Sequence, residues 1–249
     1  MKRLDDFAVI QKIAGRDVSF IQIGQGEDLV MLHGYLSSKE AFATQIAYFS
    51  KFYKVTAIDF LGFGNSGRLD AAFSVGDYAA FTKEVFKALG IKRAKVIAHS
   101  FGCRVAIKMA KEDTQVFDEI VLTGPAGVVM PRSVGYKIKV AGYRLVKKFA
   151  PRFAEKHFGS KEYRTLSSIM KESYKKIVNE DLRSDARRIK NRVLIVQGAS
   201  DTTTPMREAE AYLQCFENGK LKVIDGGHFA FCENSTTFNL TVEEFFCYG

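Results

Sequence analysis

The sequence has little cysteine, and the arrangement of the four cysteines argues against two common ways of stabilising a small fold. Cys103, Cys215, Cys232 and Cys247 are widely spaced in a chain of 249 residues, with no C-x-x-C pair and no histidine at zinc-ligand spacing. This pattern supports neither a disulfide framework nor a zinc site. A protein of the reducing cytoplasm, with no bound metal, is therefore expected.

Long apolar runs are also missing. No window approaches 18 uninterrupted apolar residues, the length that a membrane-spanning helix requires. Residues 1–7 become acidic where a secretory signal would need its apolar core. Neither a membrane span nor export is expected, which again predicts the cytoplasm.

The composition is that of a globular protein, because 47% of the residues are hydrophobic and 26% are charged. A chain of this length can bury a large core in one large domain or two modest ones.

The net charge of +9 is concentrated in residues 131–192, with 18 basic and 6 acidic residues, against 19 and 22 in the remainder. The basic residues of this segment have two interpretations. They lie on solvated helix faces, or they attract anionic substrates or the acidic surfaces of other molecules. No recognised nucleic-acid-binding motif accompanies these basic residues, so no nucleic-acid partner is expected.

Short strand-like runs alternate with helical stretches at both ends of the chain. This alternation predicts an α/β fold with a mostly parallel central sheet and helices on both faces. Residues 7–13 and 17–23 flank a turn and predict an antiparallel opening hairpin. A helix is expected from Ser37 or Ser38 to about Phe49. Between Pro131 and about residue 188 the alternation stops, and the pattern indicates several basic amphipathic helices.

The most informative stretch for chemistry is K-V-I-A-H-S-F-G-C-R, residues 95–104, where a predicted strand runs without a spacer into a helix. Ser100 lies at the corner, with Ala98 and Gly102 two residues away on each side. Small neighbours are required there because a strained strand-to-helix corner leaves no room for larger side chains. A serine that only caps the helix is the alternative interpretation.

This stretch resembles the nucleophile elbow of the α/β-hydrolase fold family, whose triad follows the order Ser, Asp or Glu, His. The resemblance implies Ser100 as nucleophile, Asp201 in the loop after one late strand as the acid, and His228 in the glycine-flanked loop after the last strand as the base. Each has a structural alternative when taken singly, such as helix capping for Asp201. Their order and their strand-end positions together favour the triad.

The same resemblance extends to the H-G-Y segment at 33–35, which is similar to the family's oxyanion loop. It implies that the amides of Tyr35 and Phe101 are the two oxyanion donors. His33 and Arg104 are candidate substrate contacts, each with a structural role as the alternative. Arg104 is a candidate because it follows the implied nucleophile by one helical turn.

The resemblance covers about residues 1–130 and 190–249. It predicts a core domain of 1–129 and 190–249, interrupted by a helical cap insertion at 130–189. The implied function is a serine hydrolase that cleaves a small ester or related acyl substrate through an acyl-Ser100 intermediate, without cofactor or metal. An anionic substrate and the oligomeric state stay open.

Two alternatives use the same triad: a C–C bond hydrolase of the meta-cleavage type, and a lyase resembling the menaquinone-pathway synthase. A third alternative is a hydrolase-fold ligand-binding or signalling protein with little turnover.

Overall fold

A computed structural model describes residues 4–130, 163 and 165–248. One eight-stranded sheet, ordered β1-β2-β4-β3-β5-β6-β7-β8, forms its centre. The strands are β1 (Ala8–Ile13), β2 (Arg16–Ile23), β3 (Asp28–Leu32), β4 (Lys54–Ile58), β5 (Ala94–His99), β6 (Phe117–Thr123), β7 (Arg192–Gly198) and β8 (Gly219–Ile224). The predicted α/β class with a mostly parallel central sheet is confirmed.

The antiparallel pairs all involve the opening hairpin. Strands β1 and β2 pair antiparallel around Ala14 and Gly15, whose positive φ angles of 47° and 79° make the tight turn. Strand β2 pairs antiparallel with β4, and the remaining strand pairs are parallel. The predicted hairpin is thus confirmed.

Helices cover both faces of the sheet. They are α1 (Ala43–Phe49), α2 (Val75–Ala88), α3 (Phe101–Glu112), α4 (Ser168–Val178), α5 (Arg183–Ala186), α6 (Met206–Leu213), α7 (Ala230–Glu233) and α8 (Ser235–Tyr248), with short 3-10 helices at Leu4–Phe7 and Lys39–Phe42. Strand β5 contributes Val96 and Ala98 to the core cluster that includes α2, α3 and α6, and Ile97 to the cluster with α1, α7 and α8. Burial on both faces explains why this strand is an uninterrupted apolar run.

The helix expected from Ser37 or Ser38 to about Phe49 begins after Ser38 and ends at Phe49, but without the predicted serine cap. Its first turn is the 3-10 helix Lys39–Phe42, and the Ser38 side chain makes no capping hydrogen bond. The amide of Lys39 instead donates to Asp59 Oδ1 at 2.7 Å. A carboxylate distant in sequence therefore satisfies an amide that a local serine cap was expected to satisfy.

The predicted insertion at 130–189 lies only partly within the described residues. Its described part contains α4 and α5, whereas 131–162 and 164 lie outside, so the domain boundaries stay a prediction. Among the described residues, no helix is long and apolar enough to cross a membrane. The carboxyl ends of β3, β5, β7 and β8 lie at one edge of the sheet, where the candidate site residues lie.

Candidate active site

Ser100 occupies a strained corner between β5 and α3. Its φ of 50° and ψ of −105° lie where a residue with a Cβ atom is rarely found. A Cβ atom on Gly102 would lie only 2.1 Å from the carbonyl oxygen of Leu32, so only glycine allows α3 to approach β3 this closely. The Ser100 amide donates to the Thr123 carbonyl at 3.1 Å and holds the corner in place. Such strain is typical of functional positions.

The structure brings Ser100, His228 and Asp201 into one hydrogen-bonded line. His228 Nε2 lies 3.1 Å from Ser100 Oγ, and His228 Nδ1 lies 2.9 Å from Asp201 Oδ2. Because an ionised carboxylate can only accept, the proton lies on Nδ1 and the lone pair of Nε2 faces the serine. This arrangement can remove the hydroxyl proton from Ser100.

The Asp201 carboxylate is held by more donors than His228 alone. Oδ1 accepts from the amides of Thr203 at 2.8 Å and Thr204 at 3.0 Å, and Oδ2 accepts from the Thr204 hydroxyl at 2.8 Å and Gln197 Nε2 at 3.2 Å. Burial by itself would raise the pKa of Asp201, but the bonds from His228 and Thr204 lower the pKa to about 2. The carboxylate is therefore ionised and fixed in orientation at neutral pH.

Thr204 and Gln197 were missed at the sequence level. Thr204 follows Asp201 in the run D-T-T-T-P, and a hydroxyl at i+3 of a loop carboxylate is the one local signal that could have indicated it. Gln197 ends the buried strand β7, and its contact with Asp201 depends on how the loop folds back.

A close approach of two loops places the acid beside the base. A Cβ atom on Gly198 would lie 2.1 Å from the carbonyl oxygen of Gly227, so the loop after β7 and the loop after β8 touch through their main chains. The amide of Ser200 donates to the Gly226 carbonyl at 2.9 Å and joins the same loops. These contacts hold the two loops that carry Asp201 and His228.

The two amides predicted to bind an oxyanion lie on neighbouring segments. Phe101 is the first residue of α3, and amides in the first turn of a helix lack intrahelical acceptors. The Tyr35 amide has no acceptor among the described residues, and the Tyr35 and Phe101 rings lie 5.7 Å apart between centroids. Both amides are thus available as donors next to Ser100.

His33 holds the loop through both of its ring nitrogens, which agrees with the structural role given as the alternative to a substrate contact. It is completely buried, with Nδ1 at 2.7 Å from the Gly34 carbonyl and Nε2 accepting from the Phe60 amide at 3.1 Å. Burial lowers the pKa of His33 to about 4. Both ring nitrogens are occupied, so the neutral ring has no atom left for a ligand.

Arg104 likewise makes contacts that agree with the structural role given as the alternative to a substrate contact. Its side chain is buried, and its Nη1 donates to the main-chain carbonyls of Ile177 at 2.7 Å and Glu180 at 2.9 Å. These carbonyls lie at and just beyond the end of α4. The guanidinium therefore connects α3 to α4.

His99, the residue before Ser100, contacts both sides of the site. Its Nε2 donates to the carbonyl of His228 at 2.9 Å, and the two rings lie 4.7 Å apart between centroids. On the other side, a Cβ atom on Gly34 would lie 2.8 Å from His99 Nδ1. Burial, followed by the influence of His228, lowers the pKa of His99 to about 3, so the ring is neutral.

The two buried neutral histidines predict that acid destabilises the protein. Their native pKa values of about 4 for His33 and about 3 for His99 lie below the unfolded value near 6.5. Below pH 6.5 the unfolded chain binds more protons, so stability is present above that pH and is lost as the pH falls. We expect the free energy of unfolding to fall by about 3–4 kcal/mol between pH 7 and pH 5 from these groups.

Urea unfolding at both pH values measures this effect. A His33→Gln variant, which can keep a donor and an acceptor, is expected to lose about half of the pH dependence. An unchanged dependence in that variant would contradict the assignment to His33.

Comparisons with known proteins identify a family and a fold. Residues 29–173 match the family model described as alpha/beta hydrolase fold, and residues 170–249 match the one described as TAP-like protein. The 2-hydroxymuconate semialdehyde hydrolase of Pseudomonas putida is 27% identical over 256 aligned residues, which cover 93% of this chain and 91% of that protein.

Two solved structures share the fold. A meta-cleavage product hydrolase from Pseudomonas fluorescens IP01 superposes with a TM-score of 0.76 at 21% identity, covering 97% of this chain and 98% of that one. An esterase from Exiguobacterium antarcticum superposes with a TM-score of 0.77 at 21% identity, covering 95% of this chain and 98% of that one. At such identities the likeness establishes the fold alone.

Proposed function

The chain belongs to the α/β-hydrolase fold family, and from this premise we propose that it is a serine hydrolase that cleaves a small ester or related acyl substrate through an acyl-Ser100 intermediate. The observation that carries the proposal is the continuous line from Ser100 Oγ to His228 at 3.1 Å and from His228 to Asp201 at 2.9 Å. A protein that only binds ligands has no need of a serine in a strained corner aligned with a base and an acid.

In the proposed acylation step, Ser100 Oγ attacks the substrate carbonyl carbon while its proton passes to His228 Nε2. The carbonyl oxygen becomes an oxyanion and accepts hydrogen bonds from the amides of Tyr35 and Phe101. When the tetrahedral intermediate collapses, the bond to the leaving alcohol breaks and His228 gives that alcohol its proton. The acyl group stays on Ser100.

Deacylation repeats these steps with water as the nucleophile. His228 takes a proton from the water, the hydroxide adds to the acyl carbonyl, and the proton returns to Ser100 as the acid product leaves. Asp201 stabilises the imidazolium that forms in each half of the cycle and holds its Nδ1 proton in place. No cofactor or metal takes part in the proposed steps.

Aromatic side chains near the proposed oxyanion donors and His228 favour a small apolar acyl group. Aromatic rings pack next to the proposed oxyanion donors, with centroids of Tyr35 and Phe63 4.9 Å apart and those of Tyr35 and Tyr174 5.2 Å apart. On the other side of the histidine, Phe229 is 41% exposed and contacts the His228 ring. Apolar walls with few polar groups favour uncharged acyl chains. An anionic substrate would depend on the basic residues of 131–192.

A C–C bond hydrolase is the second candidate. It is favoured by the similarity to the Pseudomonas putida 2-hydroxymuconate semialdehyde hydrolase, which extends over 93% of this chain. The lyase alternative depended on Arg104 as a substrate contact, and the engagement of Arg104 by two carbonyls argues against it.

The four cysteines are unpaired, which supports a cytoplasmic location as part of the proposal.

Labelling with a fluorophosphonate, followed by mass-spectrometric mapping of the adduct, tests the proposal. We expect one adduct per chain, on Ser100. We also expect p-nitrophenyl esters to show burst kinetics, with a turnover rate that declines as the acyl chain lengthens. Ser66, whose hydroxyl donates to the Asp59 carbonyl at 2.7 Å, is an internal control that should stay unlabelled. Labelling without ester turnover, combined with cleavage of a vinylogous diketone from ring fission, would favour the C–C hydrolase. No adduct on Ser100 in folded protein would refute both.

A further inference from the structure

Helix α4 contacts the loop that carries one proposed oxyanion donor. The hydroxyl of Tyr35 donates to the main-chain carbonyl of Met170, in the first turn of α4, at 3.2 Å. The ring of Tyr35 also packs on Tyr174 of the same helix, with centroids 5.2 Å apart. The residue whose amide is proposed to bind the oxyanion is therefore attached to α4 by its side chain.

The other end of α4 contacts the helix that carries the second donor. Arg104 of α3 donates to the carbonyls of Ile177 at 2.7 Å and Glu180 at 2.9 Å. Burial lowers the pKa of Arg104, and a buried guanidinium requires partners of fixed position. Arg104 therefore holds the first turn of α3, which begins with the Phe101 amide, against the C-terminal end of α4.

The core fixes α4 between these two contacts. The amide of Phe73 donates to the hydroxyl of Ser173 at 2.7 Å, and Ser173 is completely buried. Lys176 Nζ donates to the carbonyl of Ala72 at 2.7 Å. Helix α4 is therefore anchored independently of Tyr35 and Arg104 and can act as a fixed reference for both.

From these contacts we infer that α4 sets the separation of the two oxyanion donors, with Tyr35 and Arg104 as the positioning residues that attach each donor segment to it. The inference rests on the proposed serine hydrolase function. The donors lie on separate segments, the loop after β3 and the start of α3, which pack directly on each other at Gly102 and are both attached to α4. An oxyanion hole requires its donors within about 0.5 Å of their productive positions, which a common brace provides.

Tyr35→Phe tests the first contact, because it keeps the ring and removes only the bond to Met170. We expect kcat for a p-nitrophenyl ester to fall about tenfold while KM changes less than twofold, because the oxyanion forms only after substrate binds. The affinity for a trifluoromethyl ketone, whose adduct carries the oxyanion, should fall by about the same factor.

Tyr78→Phe is the matched control. It also removes a buried tyrosine hydroxyl that donates to a carbonyl at 3.2 Å, that of Leu61. We expect a similar small loss of stability with kcat within twofold of the wild-type value. Equal kinetic effects of Tyr35→Phe and Tyr78→Phe would overturn the inference.

A double-mutant cycle with Arg104→Lys tests whether both contacts act through one helix. If α4 is the common brace, the double variant should lose less kcat than the product of the two single losses. Strict multiplication of the losses would mean that the two donors are positioned independently, against the inference. If Arg104→Lys does not fold, the comparison of Tyr35→Phe with Tyr78→Phe still decides.

Hydrogen–deuterium exchange separates this inference from the proposed function. Tyr35→Phe is expected to speed exchange in peptides covering residues 33–42, whereas Tyr78→Phe is not. Unchanged exchange and unchanged kinetics in Tyr35→Phe would refute the brace. Faster exchange in a protein whose wild type lacks Ser100-dependent turnover would refute the serine hydrolase and retain the brace.

Discussion

Replacing Ser100 by alanine is expected to lower kcat for ester hydrolysis about 10⁶-fold, the loss typical when the nucleophile of a serine triad is removed. Alanine cannot form the acyl intermediate, and its methyl group gives His228 no proton to accept. His228→Ala should give a similar loss, and the double variant should lose no more than either single one, because the residues act as a unit. Stopped assays on dilution series of pure enzyme can measure such a range.

Because of the strained backbone at this corner, a Ser100→Gly variant should lose activity but be more stable than the Ser100→Ala variant. Ser100 has a φ of 50°, so Ser100→Gly should relieve strain of about 1–3 kcal/mol, of which the flexibility of glycine in the unfolded chain offsets about 1 kcal/mol. An inactive Gly variant that unfolds at higher urea concentration than the Ala variant is therefore expected. If Ser100→Ala retains more than one hundredth of the wild-type kcat, the nucleophile is another group.

Lys39→Ala is expected to lower the free energy of unfolding by about 3–5 kcal/mol, because it leaves a buried carboxylate without its partner. Lys39 and Asp59 are completely buried, with Lys39 Nζ 2.7 Å from Asp59 Oδ2 and 2.6 Å from Glu40 Oε1. Burial alone would lower the pKa of Lys39, but its bonds to Asp59 and Glu40 raise the pKa, so the ammonium is charged. In a protein of this size, such a loss lowers Tm by about 10 °C.

Lys83→Ala is the control for this variant. Lys83 also pairs with a carboxylate, that of Glu112 at 2.8 Å, but both side chains are substantially exposed. An exposed pair contributes at most about 1 kcal/mol, so Tm should change little. Equal effects of the two substitutions, measured by thermal unfolding followed by circular dichroism, would contradict the burial argument.

We expect the Lys39→Ala substitution to affect the active site as well as the stability of the fold. Asp59 accepts from the amides of Lys39 and Asn65 as well as from the ammonium, so it joins the segment after the H-G-Y loop to the glycine-rich turn after β4. We therefore expect Lys39→Ala to reduce kcat at temperatures where the variant is still folded. No local pattern in the sequence around Asp59 identifies Lys39 as its partner.

Local pattern was sufficient for most of the fold and for the placement of the candidate triad. The apolar runs of β3, β5, β6 and β7 are buried on both faces of a parallel sheet, and such strands are recognisable without their neighbours. The small residues around Ser100 and the glycines around His228 reflect main-chain approach, which depends on residue size more than on partners. The roles of Ser100, Asp201 and His228 stay a proposal.

The directions of side chains could not be predicted from local pattern. Arg104, one turn after Ser100, faces the carbonyls at the end of α4, and His33 is enclosed by Gly34 and Phe60. The start of the helix after Ser38 depends on Asp59, 20 residues further along the chain. Apart from the carbonyl of Gly34, which is next to His33, each partner is a main-chain group or a carboxylate supplied by another segment.

By itself the sequence determined the order of strands and helices, the sharp corner at Ser100 and the strand ends that carry Asp201 and His228, because hydrophobic periodicity and residue size act over a few neighbouring residues. Only the tertiary structure decided that Arg104 and Tyr35 contact α4 and that Thr204 and Gln197 donate to Asp201. Buried polar groups must find partners wherever the packed chain supplies them, and the partners of Arg104 and Tyr35 lie 73 or more residues away in the sequence.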